Sequence, residues 1–131
     1  MKKLPFIISA IAAFGLQSAA FAAYHATALV SVYKSGSSGS ASGSVQSARY
    51  YATDSAQYIG CSQSTDVKSS TYVSCIARNS SNLVLSCYSS TANEQARDAI
   101  ASINTTSFIY FQADASGKCT YITVGNYSYY L

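Results

Sequence analysis

The chain has 131 residues, 49% of them apolar and only 10% charged, with a net charge of +3 at neutral pH; it holds 12 tyrosines, four cysteines and no tryptophan. That length suits one small domain rather than two. Its few basic residues are scattered and form no stripe able to neutralise nucleic-acid phosphates, which excludes a nucleic-acid partner.

Met1-Lys2-Lys3 gives a basic start, residues 4–16 are apolar, and Ala20-Phe21-Ala22 sets small residues three and one before a cut. This is the pattern of a secretory signal peptide. Cleavage after Ala22 leaves residues 23–131 as a single disulfide-stabilised domain, and loss of Lys2 and Lys3 takes the net charge to about +1. No later stretch approaches the roughly 20 apolar residues that a helical span needs, so no membrane span is expected after signal removal. The flanks are of a bacterial type, and the expected location is secreted or periplasmic.

Residues 25–33 read as a first strand, β-branched toward the end. Residues 34–44 are almost pure Gly/Ser and read as a flexible loop or linker, because such a segment buries too little apolar surface to offset its ordering entropy. As a linker it would free the first strand to pair with another copy. Residues 45–53 read as a second strand carrying Arg49, Tyr50 and Tyr51, a candidate contact group.

Residues 57–90 hold three of the four cysteines in short apolar runs of period two: Ile59 and Cys61; Val73, Cys75 and Ala77; Leu83, Leu85 and Cys87. That is strand alternation, and with polar turns between the runs it predicts a three-stranded antiparallel meander whose cysteines face a core. In an oxidising compartment, Cys61, Cys75, Cys87 and Cys119 argue for two disulfides. Cys61 with Cys75 and Cys87 with Cys119 is the favoured pairing, since the first two face each other across a hairpin; 61/87 with 75/119 and 61/119 with 75/87 stay open. The spacing contains no close pair of the zinc or redox kind, and no metal or cofactor is expected.

After Tyr88 the period becomes helical. Thr91 and Glu94 fit a capping box, and Ala92, Ala96, Ala99, Ile100 and Ile103 recur on one face, predicting a helix over residues 92–103. Residues 107–113 and 118–129 then form a hairpin through Asp114 and Gly117. If Ala113 and Lys118 close it, Tyr110 faces Tyr121 and Ile109 faces Ile122, with Ile109, Phe111, Ile122 and Val124 on one side and Phe108, Tyr110, Tyr121 and Thr123 on the other. The expected fold class is α+β, mainly antiparallel: about seven strands, one helix packed on a sheet, and two disulfides.

The functional signal is tyrosine. All 12 follow the expected cleavage site, and tyrosine combines a flat apolar ring with a hydrogen-bonding rim at low entropy cost. Tyr110, Tyr121, Tyr127 and Tyr129 are the first candidate binding residues, with Arg49, Tyr50 and Tyr51 second. Catalysis is not expected. The single histidine, His25, lies near the expected mature N-terminus, the carboxylates form no defensible pair, and no Gly-x-Ser-x-Gly elbow is present. The sequence therefore points to a non-enzymatic exported binding or surface-interaction protein, recognising an extracellular glycan, a protein or itself. The alternatives are a self-assembling extracellular structural subunit and a small inhibitor of an exported hydrolase presenting residues 62–70.

Overall fold

The computed structural model describes residues 26–68 and 70–130. The expected signal segment, His25 and Ser69 lie outside the described residues. Seven strands form two antiparallel sheets. One has the order β1-β2-β6-β7, built from β1 (Ser31–Ser35), β2 (Ser38–Ser44), β6 (Ser107–Ala113) and β7 (Cys119–Asn126). The other is the meander β3 (Tyr58–Thr65), β4 (Thr71–Arg78) and β5 (Val84–Ser89). Among the described residues a single α-helix, α1 (Glu94–Ala101), precedes β6 and contacts β3 and β7, an edge strand of each sheet.

The core lies between the sheets, because alternation leaves each with one apolar face. Val32, Ala41, Ile109 and Phe111 from the four-stranded sheet share one buried cluster with Ile59, Cys75, Ala77, Leu85 and Cys87 from the meander, and Ile122 packs against it. Both disulfides belong to this layer: Cys61–Cys75 joins directly opposed residues of β3 and β4, and Cys87–Cys119 joins the meander to β7. This is the favoured pairing. Closing loops with separations of 14 and 32 residues, the bridges contribute about 3 and about 4 kcal/mol by restricting the unfolded chain.

The C-terminal hairpin has its aliphatic and tyrosine sides as expected, but a different register. Tyr110 pairs with Thr123, Ile109 with Val124 and Phe111 with Ile122, and the ladder shifts between Gln112 and Ala113. A bulge at Thr120 absorbs one residue and twists the ladder. The hairpin's aliphatic side packs on the meander, and at β7 it also meets α1.

Four local expectations are corrected. Residues 34–44 are not a flexible loop or linker: Gly36, at φ 64°, supplies the positive φ of a two-residue turn, and β2 is an interior strand paired on both sides. Serine at 38, 40 and 42 alternates with Gly39, Ala41 and Gly43, so the strand is patterned by size, with the small residues inward; Ser44, at its end, is fully buried. A Cβ on Gly43 would lie 3.1 Å from Val30 Cα, and the chain is drawn in where that side chain is missing. The first strand is shorter than expected and docked in the body; residues 26–30 lead into it past the end of β2, with Ser44 N donating to Ala28 O and Ala26 N to Tyr129 O.

Residues 45–53 are not a strand but contain one wide helical turn, Ser47–Tyr51. Serine oxygens capture the local backbone donors, Ser44 Oγ from Ser47 N and Ser47 Oγ from Ala28 N, and these bonds outweigh the strand preference of the tyrosines. The helix begins at Glu94, with Asn93 as cap: its Oδ1 accepts from Ala96 N at 2.9 Å. Thr91 instead turns back on Ser89, its N–H donating to Ser89 Oγ. At the other end the helix stops at Ala101, where the Ser102 N–H closes the last turn.

The packing of β2 generates a direct test. A Cβ on Gly39 would lie 2.1 Å from Tyr33 O, a clash with backbone that cannot yield. Gly39→Ala should cost about 1–3 kcal/mol in urea unfolding, whereas Ser40→Ala, one residue on and facing outward, should stay within about 0.5 kcal/mol. Equal, small effects would return this segment to a loop.

Candidate functional site

Burying Ile109 and Phe111 turns every alternate residue of the four-stranded sheet outward. Register aligns these residues in rows: Ser31, Ser42, Tyr110 and Thr123; then Tyr33, Ser40, Gln112 and Tyr121; then Phe108 beside Gly125, with Ser44 on its other side buried. With strands about 4.8 Å apart and residues about 3.3 Å apart along them, the rows span a face roughly 14 by 13 Å. No position in them carries a charge or an aliphatic side chain. Tyr33 is 69% and Tyr121 55% exposed, and Gln112 and Thr123 are exposed beside them.

The rings are held in place. Tyr110 and Tyr121 meet edge to face with centroids 5.9 Å apart, a favoured aromatic geometry. Gln112 Nε2 donates to the Tyr110 hydroxyl at 2.6 Å, so that hydroxyl keeps its own proton to donate outward. At the far end Tyr127 folds back over Gly125, where a Cβ would stand 2.4 Å from its ring. Tyr129 stacks on Tyr127 with centroids 5.0 Å apart.

Two turns position these elements, and each is built on a carboxylate. Asp114 Oδ1 accepts from Ser116 N, Ser116 Oγ and Lys118 N, and Gly117, at φ 79°, completes the turn that sets β7 against β6. The Ser116 hydroxyl and then the Lys118 N–H hold the Asp114 carboxyl below its usual range. Asp54 accepts from the Gln57 side chain and from the N–H groups of Ala56 and Gln57, and the Gln57 side-chain bond is the largest cause of its lowered pKa. The same Gln57 accepts from Val30 N with its Oε1, anchoring the segment that leads into β1.

The structure thus gathers Tyr110 and Tyr121 on one face and places Tyr127 and Tyr129 at its end. Arg49, Tyr50 and Tyr51 lie elsewhere, on the helical turn that contacts β2 and β3, where the Arg49 guanidinium stands 5.6 Å from the Tyr50 ring centre. The meander has its own outer face, less uniform: exposed Tyr58, Ile76 and Tyr88 accompany Arg78, and Tyr72 stacks on Tyr88. Desolvation, and next the Tyr72 phenol, raise the Tyr88 pKa. Tyr33, Ser40, Ser42 and Gln112 are members of the tyrosine face that the sequence expectation omitted. For Ser40 and Ser42 the signal is the serine/small-residue alternation of residues 38–44; Tyr33 and Gln112 join the face through their pairing with Ser40.

Beside Tyr121 the face adjoins a cleft between β7 and the start of α1, about 200 Å³ in volume. Among the described residues, the one grouping of metal-ligating types close enough to share an ion is Cys75, Cys87 and Cys119, with sulfurs within 4.8 Å. All three are in disulfides and offer no thiolate. No helix among the described residues is long and apolar enough to cross a membrane.

Comparison with known protein families, with curated proteins and with solved structures finds no match.

The two turn carboxylates carry a pH expectation. Their folded pKa values lie below the unfolded value of about 4, so each contributes stability that is complete above that pH and is lost as pH falls through the folded value. Urea midpoints should therefore be flat from pH 7 to about 5 and drop on further acidification. The drop should be shallower in a Asp54→Asn/Asp114→Asn variant, and an unchanged acid limb there would contradict the assignment.

Proposed function

We propose that this is an exported, non-catalytic binding protein that holds an extended, uncharged polysaccharide on the outer face of its four-stranded sheet. The observation that carries this reading is the composition of that face: Tyr, Ser, Thr, Gln, Phe and Gly alone occupy its rows. Sugar rings present apolar C–H faces that stack on aromatic rings, and their equatorial hydroxyls need neutral donors and acceptors beside those rings. Exposed tyrosines flanked by hydroxyl and amide side chains supply both.

The same composition argues against other partners. Phosphate-bearing polymers need cations that these rows do not offer. A protein partner draws its affinity from a desolvated apolar centre with aromatic, Met and Arg anchors, and the rows hold no aliphatic side chain, Met or Arg. Export rests on the basic and apolar leader over residues 1–22 and agrees with two disulfides, which persist in oxidising compartments. A non-catalytic role is supported by Asp54 and Asp114, both committed to turn hydrogen bonds.

A second reading, inhibition of an exported hydrolase, draws on the β3–β4 hairpin. Its turn carries Val67 fully exposed, and Cys61–Cys75 staples its base.

Co-sedimentation of the oxidised protein with cellulose, chitin and peptidoglycan tests the first reading. Retention on at least one polymer is expected. With each ring worth about 1 kcal/mol, Tyr33→Ala/Tyr121→Ala should weaken it by about 30-fold. Both side chains are more than half exposed, so the variant should stay folded, with a melting temperature lowered only by loss of the Tyr110–Tyr121 ring contact. Absence of retention on any polymer would reject the polysaccharide reading and move attention to the hairpin and a hydrolase partner.

A further inference from the structure

The cleft beside Tyr121 gives this reading a specificity element. It lies where the first turn of α1 faces the start of β7, and Thr120, Tyr121 and Ile122 line both it and the adjoining hollow by Gln95. Its apolar wall comes from Val73, Ala96 and Ile122, and its polar rim from Thr91, Asn93 and Thr120. None of its lining residues is charged; Lys118 lines a neighbouring, smaller hollow that shares Ser89 and Thr91 with it.

Size decides what it can take. Cavities that bind a whole small molecule usually run from about 300 Å³ upward; this cleft, at about 200 Å³, and the hollow by Gln95, at about 270 Å³, each fall below that, and both reach Tyr121 of the tyrosine face. The cleft suits a substituent of a ligand already held on the adjoining face. Chemistry narrows the substituent further. A carboxylate or sulfate would lose hydration against the apolar wall with no cation in the lining to compensate. A bare hydroxyl would leave that wall against solvent. Asn93 Oδ1 is committed to the helix cap, which leaves its amide NH2 to donate; the Thr120 hydroxyl donates to Gln112 O and so is left to accept, and the Thr91 hydroxyl pairs with Ser89 Oγ at the long distance of 3.5 Å.

We infer that the cleft receives the acetamido group of a 2-acetamido sugar, its methyl against Ala96 and Ile122 and its C=O and N–H against the Asn93, Thr91 and Thr120 rim. The inference rests on the polysaccharide reading above and makes the preferred ligand a neutral chain of N-acetylated hexosamines.

Calorimetric titration of the oxidised protein with the hexamer of β-1,4-linked N-acetylglucosamine, against the corresponding glucose hexamer, tests it. The acetylated hexamer should bind at least about ten-fold more tightly. Ala96→Leu, which fills the cleft with a good helix former, should erase that preference while leaving the glucose hexamer's affinity unchanged. Should that variant not fold, Thr120→Tyr, at an exposed bulge position, narrows the cleft from the other side and carries the same expectation. Equal binding of both hexamers to the unmodified protein, or equal weakening of both in the folded variant, overturns the cleft assignment and leaves the sheet face standing. Binding of neither hexamer overturns both.

Discussion

Everything about the candidate site depends on Ile109 and Phe111 being completely buried. A strand cannot bury two residues at that spacing without turning Phe108, Tyr110 and Gln112 the other way, and register then carries the same division across β2, β7 and β1. The hydrophobic effect acts on one face of the sheet, and the composition of the opposite face is left free to serve recognition. Cys87–Cys119 fixes the arrangement from outside the sheet by tying the start of β7 to the meander that covers the buried side. The tyrosine face is therefore rigid because its underside is core, which lowers the entropy cost of presenting several rings at once.

The parts of this design written in hydropathy were legible. The meander, its inward cysteines and the two-sided character of the C-terminal hairpin all follow from aliphatic residues at period two, whereas the disulfide pairing was one favoured option of three. The strand that completes the face was not, because β2 alternates serine with glycine and alanine. Its contrast is one of volume rather than of hydrophobicity, and its order is supplied by β1 and β6 on either side. The wide turn at Ser47–Tyr51 was hidden for another reason: buried serine oxygens at 44 and 47 decide it, and a buried hydrogen bond left unmade costs more than strand propensity offers. Register escaped as well. The bulge at Thr120 has no residue signature, yet it moves Tyr121 opposite Gln112 and so brings it diagonally against Tyr110.

The two levels of the proposed recognition use different physics. The face offers stacking and hydroxyl contacts that many neutral sugar chains satisfy, so it supplies affinity with little discrimination. The cleft is narrow, uncharged and half apolar, and discriminates by whether a substituent fills it. Both are positioned by β7, through Tyr121 outward, Ile122 inward and Thr120 at the bulge between them. That strand is in turn held by the Asp114 turn and by the disulfide at Cys119.

The most direct test of the central claim is a residue-resolved footprint by two-dimensional amide NMR during titration with a neutral β-1,4-linked hexasaccharide. Saturable shifts are expected at Ser40, Ser42, Tyr110, Gln112, Tyr121 and Thr123, with Ile76, Ser86 and Tyr88 on the meander's outer face unmoved. Shifts confined to the meander or to the β3–β4 hairpin, or none at saturating ligand, would contradict that claim.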